Sequence, residues 1–283
     1  MSHLSSLIDL HCHSTASDGT LKPSELIKLA HDKGIKHIAL TDHDTVSGVD
    51  EAHACGQTLG VNVISGVEFS AQWNNQGVHI LGLNFNRDSS VIKTAVTRQE
   101  QSRFMRAKTI SERLSKKGFD GLYESALEFS SGQAPGRPHI ASAMVKKEYV
   151  SNVSVAFKKY LGAGKLGDVR SVWPELEEVV QWITEAEGVA VIAHPRKYNM
   201  TVTKLRSLIE DFKGYGGEGL EVITSGQKQG EIGLLADLCS RYELKGSIGS
   251  DFHSPTQPWV QLGAITSLPK SVLPIWSDWG LSF

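Results

Sequence analysis

The sequence predicts an α/β fold, either a barrel or an open doubly wound sheet, that is interrupted by a helical insertion. Three observations support this prediction. Short apolar runs alternate with helix-period segments over the first 85 residues, and the same alternation returns after residue 172. Between them, residues 89–171 carry helical periodicity without a strand signal. Nearly continuous apolar runs are typical of strands buried on both faces, and strand–helix alternation is typical of parallel sheets.

The first part of the chain supplies four predicted strands and two predicted helices. The strands are predicted at residues 7–13, 37–43, 61–70 and 78–85, and the helices at residues 23–33 and 48–59. Pro23 suits the first turn of a helix and Gly34 suits a helix end. Strand-like sequence thus begins close to the start of the chain.

The insertion and the last part of the chain continue the pattern. In the insertion, helices are predicted at residues 91–117, 122–129, 140–147 and 153–160. After it, helices at 175–187, 205–212 and 231–242 alternate with strands at 189–193, 220–223 and 247–250. The predicted domains are residues 1–88 with 172–283 for the α/β domain, and residues 89–171 for the insertion.

Composition limits the class of protein. The 283 residues are 40% hydrophobic and 21% charged, which is ordinary for a globular protein. No apolar stretch approaches the ~20 residues that span a bilayer, and no signal-peptide pattern is visible. The cysteines Cys12, Cys55 and Cys239 have no paired spacing, which favours a reduced protein over a disulfide-bonded one. We expect a cytoplasmic location and no membrane association.

Charge is distributed unevenly along the chain. Residues 98–170 hold 14 Lys and Arg against 7 Asp and Glu, a net charge of +7. Because the whole chain has a net charge of −2, the remainder carries −9. A basic lobe beside an acidic domain indicates an anionic substrate. The alternative is a solvated helical surface that is basic without binding anything.

Histidines and carboxylates recur at the strand ends. His11 and His13 lie two residues apart, as do Asp251 and His253, so each pair shares one face of a strand and Cys12 points away into the core. The complete set is His11, His13, Asp18, His43, Glu68, His79, His194, Asp251 and His253. Because the carboxyl ends of parallel strands emerge at one face, most of these residues are expected to converge.

The chemistry of this set favours metal binding. A single histidine at a strand end is commonly a hydrogen-bonded structural residue, but nine such positions together are not explained by packing. Mixed imidazole and carboxylate ligands without thiolate suit Mn, Fe or Zn. Nine ligands exceed the needs of one ion and match two or three ions bridged by a carboxylate. The sequence contains neither a Gly-x-Ser-x-Gly nucleophile elbow nor a phosphate-binding loop, so neither of these rival chemistries is supported.

These motifs resemble those of the PHP (polymerase and histidinol phosphatase) superfamily of phosphoesterases. The matching elements are Asp9-Leu-His-Cys-His13, Thr41-Asp-His43, Gly66-Val-Glu68, Ile192-Ala-His-Pro195 and Gly249-Ser-Asp-Phe-His253. The resemblance implies a distorted (β/α)7 TIM-like barrel with a trinuclear metal centre. It implies one metal at His11, His13, Glu68 and Asp251, a second at Glu68, His79 and His194, and a third at Asp18, His43 and His253.

A closer resemblance is to the group that includes nucleoside 3′,5′-bisphosphate phosphatases and 5′–3′ exoribonucleases of the RNase AM type. Gly136-Arg-Pro-His139 within the insertion supports it. By this resemblance, Arg137 and His139 bind the substrate phosphate and act in catalysis together with His194. Arg196 is a further candidate for phosphate binding, because a guanidinium can contact two phosphate oxygens. The alternative for both arginines is a surface role.

The resulting functional prediction is a metal-dependent hydrolase that uses a metal-bridged hydroxide. Its expected substrates are nucleoside 3′,5′-bisphosphates, short 5′-phosphorylated RNA degraded from the 5′ end, or both. The expected cofactors are three divalent ions, predicted as Mn²⁺ with Zn²⁺, Fe²⁺ or Mg²⁺ as alternatives. No obligate protein partner is indicated. Two alternatives remain, a histidinol-phosphate or other small-molecule phosphatase and a non-catalytic PHP accessory domain.

Overall fold

The computed structural model describes residues 7–169 and 172–283. Seven strands form one sheet in the order β1 to β7. Their bounds are β1 Ile8–Cys12, β2 His37–Leu40, β3 Asn62–Trp73, β4 Gln76–Leu83, β5 Val189–Ile192, β6 Gly219–Thr224 and β7 Lys245–Gly249.

The sheet curls until its first and last strands nearly meet, which makes it a distorted seven-stranded barrel. Phe252, just after β7, forms a parallel bridge with Cys12 of β1. The His13 amide donates to the Phe252 carbonyl at 2.8 Å, and the Asp251 amide donates to the His11 carbonyl at the same distance. These hydrogen bonds bring the end of β7 to the end of β1, so the predicted barrel is confirmed and the open sheet is excluded.

Strand direction departs from the parallel arrangement that the sequence predicts. β4 runs antiparallel to both β3 and β5, whereas the other neighbouring strands pair in parallel. The reason is the two-residue connection between β3 and β4, in which Asn74 and Asn75 adopt φ of 46° and 59°. Two consecutive residues in the left-handed region form the tight turn of a hairpin, and a hairpin joins only antiparallel strands.

Helices cover the outside of the strands and build the insertion. Their bounds are α1 Pro23–Asp32, α2 Val49–Leu59, α3 Ser90–Ser115, α4 Leu122–Phe129, α5 Arg137–Lys146, α6 Val153–Ala156, α7 Leu176–Glu185, α8 Val202–Gly214 and α9 Gln229–Tyr242. A π-helical turn at Phe157–Leu161 follows α6, and a 3₁₀ turn at Pro195–Tyr198 follows β5. Among the described residues, none of these helices has the length and apolar character needed to cross a membrane.

The chain divides into two compact units. The barrel unit comprises the chain up to Ala95 and Pro174–Phe283, and the insertion unit is Val96–Trp173. The sequence predicted boundaries at residues 88/89 and 171/172, whereas the two compact units divide at 95/96 and 173/174, so that the first part of α3 belongs to the barrel unit. The insertion has its own apolar core, to which Ile110, Leu122, Ile140 and Met144 contribute.

Candidate metal centre

Glu68 is at the centre of the candidate site and is completely buried. Its Oε1 lies 2.8 Å from His79 Nδ1 and 2.9 Å from His194 Nε2. Its Oε2 lies 2.9 Å from His43 Nδ1 and 3.3 Å from the Nε2 atom of His11. One carboxylate thus contacts imidazoles from four separate parts of the barrel, which is the geometry expected of a bridging ligand.

The two histidines of β1 enter the site together, as their spacing predicts. His13 Nε2 lies 3.3 Å from Glu68 Oε2 and 3.3 Å from Asp251 Oδ1. His11 Nε2 lies 3.5 Å from the same Asp251 oxygen. Between them, Cys12 faces the opposite side and joins the apolar core with Leu26. Alternation along one strand therefore places the two histidines in the site and the cysteine between them in the core.

A further group forms where the loop after β1 meets the end of β7. Asp18 Oδ1 lies 3.3 Å from His253 Nε2, and Asp18 Oδ2 lies 3.8 Å from His43 Nε2. Potential ligand atoms of His13, Asp18, His43 and His253 all lie within 4.8 Å of one another. Asp42 holds this loop in place, because its carboxylate accepts hydrogen bonds from Ser14 and Ser17.

All nine residues singled out from the sequence lie in overlapping groups with this spacing. Besides the group around Asp18, these are His11 with His194 and Asp251, His11 with His13 and Glu68, and His43 with Glu68 and His79. The groups differ in part from the division implied by the family resemblance. His43 also lies with His79, and His194 lies with Asp251 as well as next to Glu68.

The antiparallel direction of β4 explains how His79 reaches the site. His79 lies in the first half of its strand and Glu68 in the middle of β3, whereas His11 lies near the end of β1. In a parallel strand that position would lie at the opposite end of the barrel. Because β4 is reversed, Ser70 pairs with His79 and the side chain arrives beside Glu68.

The donor set fits divalent cations. Among the described residues, the buried atoms His11 Nε2, His13 Nε2, Asp18 Oδ1 and Glu68 Oε2 have no hydrogen-bond partner of good geometry. Buried polar atoms are normally paired, so a cluster of such atoms calls for a ligand. Imidazole nitrogens and carboxylate oxygens without thiolate are ligands that Mn²⁺, Fe²⁺ and Zn²⁺ accept. The residues present therefore match a multinuclear centre.

The pKa values show how strongly these groups influence one another. Burial alone would raise the pKa of Glu68, but His43, His79 and His11 hold it well below its usual range. Burial, with His253 and His43 nearby, lowers the pKa of His13 to about 3. Burial opposes the charge on His253, yet Asp18 and Asp251 raise its pKa to about 9. Neutral and charged imidazoles thus coexist within one cluster.

Glu221 supports the site but escaped the sequence analysis. It is completely buried on β6, and its Oε1 hydrogen-bonds His11 Nδ1 at 2.9 Å. Its Oε2 accepts the backbone N–H of His194 at 2.5 Å. A carboxylate behind a metal-binding histidine fixes the ring and its tautomer. The available signal was a lone acidic residue inside the apolar strand Gly219–Thr224.

Strained backbone is found at two of the nine residues. His194 has a φ of 27° and Asp251 a φ of 55°. Such conformations are unfavourable for residues other than glycine, and they are typical of functional positions.

Asp9, which shares a face with His11, has a structural role next to the site. Its Oδ1 accepts from the Ser250 amide and its Oδ2 from the Gly263 amide, both at 2.8 Å.

Two adjacent cations after β5 differ in their surroundings. Arg196, which the sequence proposed for phosphate binding, directs its Nε toward Glu231 of α9 at 3.6 Å. Lys197 instead forms an ion pair with Asp251 of the cluster. The sequence analysis missed Lys197, although it lies three residues after His194. Its side chain is half exposed, and its ammonium group contacts the cluster through Asp251.

Arg137 and His139 lie within the insertion unit. Arg137 begins α5, and its Nη1 donates to the Leu161 carbonyl at 3.2 Å. His139 Nδ1 accepts from the Gly136 amide at 3.0 Å, which caps the same helix. Each residue therefore has a structural contact within the insertion, and a role in substrate binding remains a proposal.

Comparison with known proteins gives a consistent result. The PHP domain model matches residues 9–191. The chain is 42% identical to a "5′-3′ exoribonuclease" of Haemophilus influenzae, over 95% of this chain and 97% of the relative. It is 36% identical to a "3′,5′-nucleoside bisphosphate phosphatase" of Chromobacterium violaceum, over 96% and 95% of the two chains. A metal-dependent phosphoesterase structure from Bifidobacterium adolescentis matches with a TM-score of 0.81 and 28% identity, covering 93% of each chain.

Proposed function

The chain belongs to the PHP domain family, and from this premise we propose that it is a phosphoesterase acting on nucleoside 3′,5′-bisphosphates and short 5′-phosphorylated RNA. In this proposal it removes the 3′-phosphate of a bisphosphate and degrades RNA from the 5′ end. The two activities are one reaction, because both cleave the ester at a 3′ oxygen of a nucleotide that carries a 5′-phosphate.

The Glu68-centred cluster is the observation that carries the proposal. Nine imidazole and carboxylate side chains share one buried site, and their donor atoms fit divalent ions. Bound divalent ions supply an activated water and polarise the phosphoryl group. No serine or cysteine nucleophile is required, and Cys12 is turned into the core.

The charge of the chain supports an anionic substrate. The insertion carries an excess of Lys and Arg, with a net charge of +7 over residues 98–170. Lys197 offers a further cation directly at the cluster. The names of the two relatives, an exoribonuclease and a bisphosphate phosphatase, favour a nucleotide or RNA over a sugar phosphate or histidinol phosphate.

Individual residues receive the following proposed roles. Glu68 and the eight other residues of the cluster hold three metal ions, with Mn²⁺ the proposed metal. Arg137 and His139 bind the substrate phosphate and neutralise its charge as the ester breaks. His194 takes part in catalysis from within the cluster, where its backbone amide donates a hydrogen bond to Glu221. Lys197 replaces Arg196 as the preferred cation near the reacting phosphate.

The cell compartment is part of the proposal. Cys12, Cys55 and Cys239 are all unpaired, which fits a reducing environment. Nucleotide and RNA substrates are consistent with the cytoplasm.

Phosphate release from adenosine 3′,5′-bisphosphate by Mn²⁺-loaded protein tests the proposal. Histidinol phosphate and AMP are run in parallel, and a 5′-phosphorylated RNA of a few nucleotides is analysed by gel. We expect release from the bisphosphate and shortening of the RNA, without turnover of the other two compounds. Asp18→Asn is expected to reduce the rate by at least tenfold, whereas exposed Asp32→Asn serves as the matched control.

The alternatives predict different results. Turnover of histidinol phosphate alone would retain the metal centre and overturn the proposed substrate. Absence of turnover on every substrate, together with absence of bound metal, would favour a non-catalytic accessory domain.

A further inference from the structure

Trp259 is the most exposed large apolar side chain among the described residues, at 75% of its full accessibility. No hydrogen bond or ring contact to it is found in the described part of the chain. Tryptophan is usually well buried, because its large ring gains free energy when it leaves water. An exposed indole without a partner therefore points to a partner outside the chain.

The position of Trp259 ties it to the metal centre. It follows His253 by six residues, which is at most about 20 Å of fully extended chain. Two turns shorten that path, since the Gln257 amide donates to the Ser254 carbonyl and the Val260 amide to the Gln257 carbonyl, both at 3.2 Å. The segment leaves the barrel at the end that carries Asp251 and His253.

The loop that carries Trp259 is anchored on both sides. Before it, the His253 carbonyl accepts the Thr20 amide at 2.8 Å. After it, Val260 packs against the apolar core beneath α1 and α2, and Leu262 is buried there. The Gly263 amide then donates to Asp9 Oδ2 at 2.8 Å. The backbone on both sides of Trp259 is thus held against the barrel unit, so the position of the loop is fixed.

The surroundings of Trp259 favour a planar, partly polar partner. Thr256, Gln257 and Gln261 lie in the same loop as the exposed Pro255 and Pro258. The exposed apolar surface of this segment is therefore limited to the indole and two proline rings. A protein or membrane contact would call for a wider apolar patch. Aromatic side chains close to a nuclease centre stack on nucleobases, because every base has a π-face.

We propose that Trp259 stacks on a nucleobase of the substrate and positions the nucleotide for cleavage at the metal centre. This inference rests on the proposed nucleotide or RNA substrate. It makes Trp259 a positioning residue, so its loss weakens binding of substrates that carry a base. The chemical step, which the cluster performs, is left intact.

This inference is tested by the kinetics of substrates that carry or lack a nucleobase. Wild-type protein and Trp259→Ala are compared on adenosine 3′,5′-bisphosphate and on ribose 3,5-bisphosphate, which lacks the base. We expect the variant to raise KM for the adenosine compound on the order of tenfold, with kcat within twofold. KM for the base-free compound stays unchanged, and Trp259→Phe retains most of the affinity. Leu273→Ala, at an apolar residue 57% exposed, is the matched control.

Binding of AMP separates failure of this inference from failure of the proposed function. Calorimetry compares AMP with ribose 5-phosphate on wild-type protein and on Trp259→Ala, and it requires no turnover. Loss of affinity for AMP alone supports stacking, whether or not the bisphosphate is hydrolysed. Equal affinities in both proteins, or equal losses for both ligands, overturn it. If Trp259→Ala changed only the self-association measured by sedimentation, the ring would be assigned to a contact between protein molecules, and the inference would also be overturned.

Discussion

At the scale of residues, His253 holds a proton that a metal ion would have to displace in order to bind there. Asp18 and Asp251 raise its pKa to about 9 against the opposing effect of burial. The pKa of His11 is also raised well above its usual value, since Glu221, Glu68 and Asp251 outweigh burial. In the metal-free protein both rings are therefore charged at neutral pH, and metal binding requires their deprotonation.

We predict that Mn²⁺ affinity rises as the pH increases from 6.5 to 9. Below the raised pKa values each displaced proton makes the apparent affinity increase by up to about tenfold per pH unit. Calorimetry in buffers with different ionisation enthalpies measures both the affinity and the protons released. His253→Asn removes one proton from the count. An affinity that does not change over this range would contradict the assignment of these rings as ligands.

Lys197 and Arg196 are neighbouring cations whose substitution is expected to affect activity differently. Lys197 contacts Asp251, whereas Arg196 faces Glu231. We predict that Lys197→Ala lowers kcat/KM for the bisphosphate on the order of tenfold, and that Arg196→Ala changes it less than threefold. Lys197→Arg retains part of the activity because the positive charge is kept. A larger effect of Arg196→Ala would restore the role that the sequence first indicated.

At the scale of elements, the barrel closes through close contact between β1 and β7. A Cβ added at Gly249 would lie 2.2 Å from the Cβ of His11 and 2.8 Å from Glu221 Oε1. Glycine is thus required at the end of β7 because the strand passes directly against His11 and Glu221. The elements also explain why the candidate ligands converge, since the reversal of β4 brings His79 beside Glu68.

Gly249→Ala is predicted to damage both stability and metal binding. Overpacking of this kind costs about 1–3 kcal/mol of unfolding free energy, and displacement of His11 weakens metal affinity. Urea unfolding and Mn²⁺ calorimetry measure the two effects. Gly77→Ala is the matched control, because a Cβ at this strand glycine meets no atom within 4 Å. Equal stability of the two variants would show that β7 can move away from β1 without loss.

At the scale of the whole molecule, the candidate ligands come from distant parts of the sequence. The loop after β1 and the end of β7 lie more than 230 residues apart, as Asp18 and His253 illustrate. Metal ions that bind such residues connect the first and last strands of the barrel. Their binding free energy therefore adds to the stability of the folded barrel unit.

We predict that Mn²⁺ raises the melting temperature and that a chelator lowers it. A metal concentration 100 times the dissociation constant stabilises the folded state by about 2.7 kcal/mol for each site. Scanning calorimetry measures the shift, and hydrogen exchange locates it. Protection should increase at peptides that contain the cluster residues. Asp18→Ala should remove only part of the shift, because two of the four ligand groups include neither Asp18 nor its partner His43. A complete loss would show that the sites fill as one unit.

The sequence by itself determined the element order, the helical insertion and the identity of the nine clustered side chains. Hydrophobic periodicity and two-residue alternation are local properties, so Pro23–Asp32 and the pair His11 and His13 could be recognised without knowledge of the fold. Only the tertiary structure decided that Glu221 supports His11, that Lys197 pairs with Asp251 and that Arg196 lies near Glu231. These relations depend on how strands far apart in sequence are placed side by side. The reversal of β4 depends on both. The turn at Asn74 and Asn75 is local and sets the direction of the strand. The result, His79 beside Glu68, appears only in the closed barrel.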